Sequence, residues 1–424
     1  MAVAILGLGT VGSGVAKLLL DLPPLHILPA GGEAPRLKYV VDIRELPKNS
    51  PYAPYWTRDY QKVLDDPEVS VVVETIGGTS AAYAMSKSAL MAGKSLVTSN
   101  KALVASHGRE LLDLAASKGV CYLFEASAGG GIPLLHVQTY CLAANRIRAI
   151  AGILNGTTNY ILERMKLSGL SLEEALREAQ DKGYAEQDPT EDIEGYDAAR
   201  KITILASLRD ARAYNFQAFP MEGIREVNPT YFRLAEAFQA DVKLLALARW
   251  DERDRPTILT ALHLIPKMHP LAAARGVMNA VAYDSSALGE AMFYGAGAGS
   301  LPTASAVVSD ILETGRDGPR GSGMTWAAGE TYTADRETMS VSALLFRMGQ
   351  TASIEETRLL GLAGARPSLE FVPAAETGDD GAEQVGPICS VHRLDGTTEA
   401  RLADLRAELR AKGGDWRTLR LFKL

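Results

Sequence analysis

The feature that most restricts the fold stands at the start of the chain. The apolar run Ala2-Val3-Ala4-Ile5-Leu6 leads directly into Gly7-Leu8-Gly9-Thr10-Val11-Gly12, and a helical pattern carried by Val15, Leu18 and Leu19 follows. Strand, glycine turn and helix at this spacing form a unit whose helix-start amides face a phosphate. Gly7 permits the tight turn, Gly9 lets the backbone approach a pyrophosphate, and Gly12 lets the helix pack closely on the strand. A glycine-rich turn without a ligand can look the same. Its place after the first strand favours dinucleotide binding, with Gly7, Gly9, Thr10, Val11 and Gly12 as contacts.

The first third of the chain keeps that rhythm. Strands are predicted at Val3–Leu6, Leu37–Ile43, Val69–Glu74, Ser95–Thr98 and Val120–Glu125, with helical patterns at Ala81–Ala92 and Glu110–Ser117 stopped by Gly93 and Gly119. Alternation of this kind belongs to an α/β fold with a doubly wound, Rossmann-type parallel sheet. We expect this dinucleotide-binding domain over residues 1–133, completed by about 296–315. An α+β substrate-binding and dimerisation domain is expected over 134–295. It includes a strand at Ile147–Leu154, a capping box at Ser171-Leu172-Glu173-Glu174, a helix over Ile193–Leu208, and strands near Thr257–Leu264 and Asn279–Tyr283. Residues 316–336, rich in glycine and charge from Arg316 to Gly323, read as a linker. Residues 337–424 parse as strand, helix, strand, strand, helix, strand: Met339–Phe346, Ile354–Leu362, Leu369–Val372, Ile388–His392, Glu399–Lys412 and Arg417–Phe422. The acidic stretch Glu376–Glu383 is expected to be a mobile loop.

Composition narrows the partners. A formal net charge of −7 with no basic stripe argues against nucleic acid. No stretch approaches the roughly 18 uninterrupted apolar residues of a membrane span. The apolar start lacks a basic leader and is broken by glycine at once, so a cytoplasmic setting is expected. Cys121, Cys141 and Cys389 are too scattered for a disulfide framework or a thiolate metal site. The six histidines show no metal-ligand spacing.

Coenzyme type turns on the end of the second strand. A carboxylate there bonds the ribose 2′-hydroxyl of NAD, and a cation accepts the 2′-phosphate of NADP. The chain offers Asp42 and Glu45 against Arg44 and Lys48, and a plain charged loop would look the same.

Further blocks carry a resemblance. They are Val97-Thr98-Ser99-Asn100-Lys101-Ala102-Leu103, then Phe124-Glu125-Ala126-Ser127-Ala128-Gly129-Gly130-Gly131-Ile132-Pro133, then Gly152-Ile153-Leu154-Asn155-Gly156-Thr157-Thr158-Asn159-Tyr160. The longest runs from Gly183-Tyr184-Ala185-Glu186-Gln187-Asp188-Pro189-Thr190 into Asp192-Ile193-Glu194-Gly195-Tyr196-Asp197-Ala198-Ala199-Arg200-Lys201, and Gly297-Ala298-Gly299 with Pro302-Thr303-Ala304-Ser305-Ala306 closes the set. In this order, over most of residues 1–312, they resemble the homoserine dehydrogenase family. The resemblance implies an NAD(P)-dependent oxidoreductase in threonine, methionine and isoleucine biosynthesis. It implies coenzyme contacts from Arg44, Lys48, Thr98, Ser99, Lys101, Gly156, Glu186 and Gly299, and it tips the coenzyme toward NADP with NAD tolerated. Lys201 would be the proton donor and Lys101 its electrostatic partner. Glu186 and Thr157 would bind the substrate, and Asp192 and Asp197 would orient the substrate and the two lysines, Asp197 as part of the catalytic group. A monovalent cation, sodium, would sit on the side chain of Glu125 and the carbonyls of Ala128, Gly130 and Ile132. A homodimer is implied as well.

The residues themselves support part of this. Reduction of a carbonyl puts negative charge on its oxygen, which then needs a proton or a cation. Lys101 follows the carboxyl end of a predicted strand, where open α/β sheets bind ligands. Lys201 has Ala198, Ile204 and Leu205 as helical neighbours, so its ammonium should be partly desolvated. Asp197 precedes it at i, i+4 spacing, which by itself reads as a surface salt bridge. The acidic span from Glu186 to Asp197 by itself reads as an exposed loop. Two other outcomes stay open: a catalytically silent NADP-binding sensor, and a related dehydrogenase for another small amino-acid aldehyde. The strand-helix order after residue 336 resembles an ACT regulatory (ferredoxin-like) module. Phe346-Arg347-Met348-Gly349-Gln350-Thr351 departs from that module's usual turn after the first strand.

Overall fold

The structure is a computed structural model that describes residues 1–21, 34–315, 326–332, 339–348, 352–369 and 388–422. Its first sheet contains β1 (Ala2–Leu6), β2 (Arg36–Val41), β3 (Trp56–Thr57), β4 (Val69–Glu74), β5 (Ser95–Thr98) and β6 (Tyr122–Leu123) in the order β3-β2-β1-β4-β5-β6. Every pairing in it is parallel. β1 is apolar throughout and fully buried, as a central strand covered on both faces must be. The connecting helices are α1 (Thr10–Asp21), α2 (Tyr60–Asp65), α3 (Ser80–Met91) and α4 (Lys101–Lys118). Strand order reverses beside β1, which opens a crevice at the carboxyl ends of β1 and β4.

After a single turn, α5 (Ala126–Gly129), the chain enters the second layer. Here lie β7 (Ile147–Ile153), α6 (Gly156–Ser168), α7 (Leu172–Asp181), α8 (Thr190–Ile193), α9 (Tyr196–Asp210), β8 (Arg212–Tyr214), α10 (Pro229–Ala237), β9 (Ala240–Trp250), β10 (Pro256–Pro266), β11 (Met278–Ser285) and β12 (Gly289–Ala296). α11 (Ser300–Glu313) returns to the first sheet and packs on α1, where the glycine at 14 makes room for Ser300 and Ala304. Then follow β13 (Ala327–Tyr332), β14 (Ser340–Met348), α12 (Ile354–Leu362), β15 (Arg366–Leu369), β16 (Ile388–Thr398), α13 (Glu399–Ala411) and β17 (Trp416–Leu421).

The second sheet runs β12-β11-β7-β9-β10-β17-β14-β16-β15. Its last four strands come from the C-terminal segment and are antiparallel to one another. They join the rest through a short parallel pairing of β17 with β10, His263 beside Arg420 and Leu264 beside Leu421. Among the described residues no helix is long and apolar enough to cross a membrane.

Several sequence boundaries need correction. The helix expected over Ile193–Leu208 is broken into α8 and α9, because Gly195 takes a left-handed φ of 83° and acts as N-cap of α9. The helix expected to begin at Glu110 begins at Lys101, capped by Asn100 whose side chain accepts from Leu103 N. The strand expected over Val120–Glu125 keeps only Tyr122–Leu123, since the chain then coils into α5. β9 and β12 lay outside the predicted strands. Ala327–Tyr332, inside the expected linker, is a strand paired in parallel with β8. Arg316–Gly323 and the acidic loop Glu376–Glu383 lie outside the described residues.

Candidate active site

A cleft of about 680 Å³ lies between the carboxyl edge of the first sheet and the second layer. Thr10, Val11, Ser99, Lys101, Gly130, Gly156, Thr157, Glu186, Asp192, Asp197, Lys201 and Gly299, all singled out in the sequence, line it. Gly7, Gly9 and Gly12 form the turn behind its rim. Arg44, Lys48 and Thr98 do not line it. The hydroxyl of Thr98 donates to the buried carboxylate of Glu74 at 2.6 Å instead.

The glycine turn fits a diphosphate. A Cβ on Gly12 would overlap the Gly7 carbonyl and press on the Thr75 hydroxyl, whereas a Cβ on Gly9 would meet open space. Gly7 itself has a φ of 89°. The turn is thus closed toward the sheet and open toward the cleft, with the amides of α1 at its mouth. Asp42, just past β2, accepts from Leu8 N at 2.8 Å and so fixes the same turn. Arg44 folds back onto Asp42, with Nη2 at 3.1 Å from Oδ2 and its own amide at 2.8 Å from Oδ1. Arg44 beside it holds the Asp42 carboxyl down to about 2. The acidic and basic candidates at this corner are therefore one pair. Lys48 is exposed and makes no ion pair among the described residues.

Opposite the turn, Asp197 sits buried near the start of α9 and receives two ammonium groups. Lys101 Nζ lies 2.8 Å from its Oδ1 and Lys201 Nζ 2.8 Å from its Oδ2. The lysines are a hundred positions apart in sequence, yet one carboxylate holds both tips. Burial alone would raise the Asp197 carboxyl, but Lys201 and Lys101 outweigh it and keep the group well below the usual range. The Asp197 charge raises the Lys101 ammonium against the opposing effect of burial. Lys201 also donates to Leu154 O at 2.7 Å. An ammonium has three donors, so one N–H remains for a ligand.

Asn155 organises the rest, and its reach was not visible in the sequence. Its Oδ1 caps α6 by accepting from Thr158 N at 2.8 Å, and its Nδ2 donates to Asp192 at 2.6 Å and Asp197 at 2.9 Å. In the sequence it stood only within the Gly152–Tyr160 block that carries the resemblance. Burial, and then the neighbouring Asp197 charge, raise the Asp192 carboxyl. Thr157 donates to Tyr184 O at 2.7 Å, which ties the Gly183–Glu186 wall to α6. Glu186 stands exposed on that wall and presents an acceptor-only carboxylate to the cleft. Glu74, also missed, is buried at the carboxyl end of β4, and burial raises its carboxyl.

The Glu125 region is oxygen-rich. The Glu125 carboxylate accepts from Leu134 N, Leu135 N and His136 N at 2.6, 2.9 and 2.7 Å, so three of its roughly four acceptor positions are taken. The amides that could reach Ala128 O, those of Gly131 and Ile132, donate to Ala296 and Gly129. Ala128, Gly130 and Ile132, the other residues singled out for a cation, are buried beside Glu125.

A phosphate-ready turn on a six-stranded parallel sheet, facing two ammonium tips on one carboxylate, defines a nicotinamide-dependent oxidoreductase. Comparisons with known proteins carry this further. Residues 7–125 match the family model described as homoserine dehydrogenase, NAD binding domain, and residues 133–312 the one described as homoserine dehydrogenase. The chain is 42% identical over 321 residues to the homoserine dehydrogenase of Synechocystis sp., covering 73% of this chain and 72% of that protein. It is 41% identical over 318 residues to that of Bacillus subtilis, with 73% and 72% covered. The crystal structure of a homoserine dehydrogenase from Thiobacillus denitrificans superposes with a TM-score of 0.86 at 34% identity, covering 100% of this chain and 98% of that one. A hyperthermophilic archaeal homoserine dehydrogenase mutant in complex with NADPH matches with a TM-score of 0.62 at 26% identity, covering 74% and 97%. The chain belongs to the homoserine dehydrogenase family, whose members are NAD(P)-dependent oxidoreductases acting on a CH–OH group.

Proposed function

We propose that this chain interconverts L-aspartate-4-semialdehyde and L-homoserine, with NADP as the preferred coenzyme and NAD tolerated. The observation that carries the reading is the Lys101–Asp197–Lys201 cluster in the same cleft as the glycine turn. When bound, the reduced coenzyme supplies the hydride for the aldehyde carbon. Lys201 then gives its proton to the forming alkoxide, and Asp197 holds the ammonium aimed while Leu154 O takes a second N–H. Lys101 adds positive charge beside that oxygen. Glu186 receives the substrate ammonium, and Asp192, held by Asn155, orients the same end. The coenzyme is held by the Gly7–Gly12 turn, with Ser99, Gly156 and Gly299 around it. The test is a spectrophotometric assay of coenzyme reduction with L-homoserine, NADP⁺ against NAD⁺. No turnover with L-homoserine, alongside turnover of another amino alcohol, would change the substrate.

Arg44 and Lys48 take the 2′-phosphate in this reading. The exposure of Arg44 and its Nη2, 3.3 Å from Leu8 O of the glycine turn, support it, because they place a guanidinium at the rim of the coenzyme turn. In an Arg44→Ser variant Asp42 is left to a ribose hydroxyl. The ratio of kcat/KM for NADP⁺ over NAD⁺ is expected to fall by roughly 10–100-fold, the worth of about 1.5–3 kcal/mol for a charged hydrogen bond. An unchanged ratio would move the 2′-phosphate elsewhere.

Three further parts belong to the same reading. A sodium ion is held by the carbonyls of Ala128, Gly130 and Ile132 with the side chain of Glu125. Replacing sodium by choline in the assay buffer is expected to lower activity or thermal stability, and no change in either would exclude the ion. The chain forms a homodimer in a cytoplasmic setting; β12, at the sheet edge with Met292 and Tyr294 exposed, supports a partner there, and light scattering measures it. Residues 337–424 form an ACT-like, ferredoxin-like module. Its strands, in the order fourth, first, third, second, support that reading.

A further inference from the structure

Between the second layer and the C-terminal segment lies a charge cluster that the chemistry above leaves unused. Arg420 on β17 is buried, and two carboxylates bracket its guanidinium. Nε and Nη2 donate to Glu399 of α13 at 2.6 and 2.8 Å, and Nη1 and Nη2 donate to Glu222 at 2.7 and 3.0 Å. Glu399 belongs to the C-terminal segment, whereas Glu222 lies on the strap that leads into α10. A longer bond of 3.4 Å from Arg406 adds to the grip on Glu222. Two more arginines hold the strap farther along: Arg410 donates to the Glu226 carboxylate at 3.0 Å and Arg417 to the Glu226 carbonyl at 3.1 Å. A desolvated, bidentate arrangement of this kind is directional, and taking away one partner strands the others.

The other side of the strap lies against the turn between α8 and α9. Ile224 N donates to Ile193 O at 2.8 Å, while Glu222 N donates to Thr260 O of β10 at 2.8 Å. Between them, a Cβ on Gly223 would overlap the Ile193 carbonyl, so the two backbones are in contact. A Cβ on Gly195 would in turn lie 3.3 Å from Glu222 O. This turn separates Asp192, on α8, from Asp197, on α9. Both carboxylates point to the cleft, and both take a bond from Asn155. The path from Arg420 to the two acidic groups thus runs through one carboxylate and three residues of packed backbone.

We propose that Glu222 is a positioning residue: clamped by Arg420 and Arg406 of the C-terminal segment, it seats the strap on Ile193–Gly195 and thereby sets the placement of Asp192 and Asp197. Substrate binding then depends on how the C-terminal segment is docked. The inference rests on the reading of the cleft given under Proposed function.

The experiment uses the full chain with Glu222→Gln, which keeps the shape and removes the charge. Arg406→Leu serves as a milder second variant should the first not fold. Glu355→Gln, at an exposed ion pair of the same segment, is the control. The KM for L-homoserine is expected to rise at least about 10-fold in Glu222→Gln and less in Arg406→Leu. In both, the NADPH Kd from fluorescence titration should stay within about twofold, and the control should match the parent in every constant. Amide exchange at Ile193, Glu194, Gly195 and Ala199 is expected to quicken about 10-fold or more, with β1, β4 and β5 unchanged. Unaltered KM and unaltered exchange would overturn the proposal. A parallel loss in KM, NADPH binding and exchange protection across the first sheet would do the same, because it marks general destabilisation. Should the parent chain not oxidise L-homoserine at all, the substrate reading falls, and the exchange measurement still decides whether Glu222 seats the turn.

Discussion

Replacing Lys201 by alanine is expected to lower kcat for L-homoserine oxidation by about 10²–10⁴-fold, the usual worth of a positioned general acid or base. The coenzyme Kd is expected to move no more than a few-fold, because Lys201 lies across the cleft from the glycine turn. Two of its three N–H bonds are committed, to Leu154 O at 2.7 Å and Asp197 Oδ2 at 2.8 Å, so the side chain is aimed before any ligand arrives. The apolar neighbours Ala198, Ile204 and Leu205 are buried, which keeps the stem from swinging to solvent. Lys101, more exposed and, among the described residues, bonded to the same carboxylate only, is the less constrained of the two. Its alanine variant is expected to lose activity less steeply. Steady-state kinetics on the two variants checks both statements. Near-normal turnover in Lys201→Ala would remove the acid role from this residue.

Substituting Asp197 by asparagine is expected to cost more than either lysine change in kcat/KM, with a loss of at least about 10³-fold. The isosteric amide leaves two ammonium groups side by side without the anion that draws them together, so both aim and proton affinity are disturbed. Stability should fall too, by about 1–3 kcal/mol at neutral pH. The figure is set below that of a fully buried pair because Lys101 is partly exposed and relaxes into water. The pH dependence has a definite sign. The folded-state carboxyl is depressed below its unfolded value of about 4. Its contribution is therefore fully present above pH 4 and is lost as pH falls toward the depressed folded value. Urea midpoints of parent and variant should differ most at neutral pH and converge as the pH is lowered below 4. A gap that widened on acidification would contradict the assignment of the charge to Asp197.

Much of the first sheet was legible because a buried parallel strand is simply an apolar run, and the glycine turn has few other uses directly after one. The capping box at Ser171 was legible for a similar reason: both of its hydrogen bonds are local, and both are present. Boundaries went astray where one backbone angle decided the outcome. Gly195 falls inside the helix expected over Ile193–Leu208. Its left-handed φ, stacked against the strap at Glu222, makes it the break that separates Asp192 from Asp197. Asp42 and Arg44 looked like competitors for a ribose. Two residues apart, they fold into one pair that no count of charges reveals.

By itself the sequence determined what is local: which segments bury both faces, where helices are capped, and which residue types are available for proton transfer. Those properties depend on neighbours a few positions away, so they can be read in one dimension. Tertiary structure alone decided that Lys101 and Lys201 share one carboxylate, that Asn155 reaches two acidic groups, and that Arg420 near the C-terminus grips Glu222. Each of these depends on the closure of long loops around a common core, and hydrogen bonds a few ångströms long carry no trace of that closure along the chain.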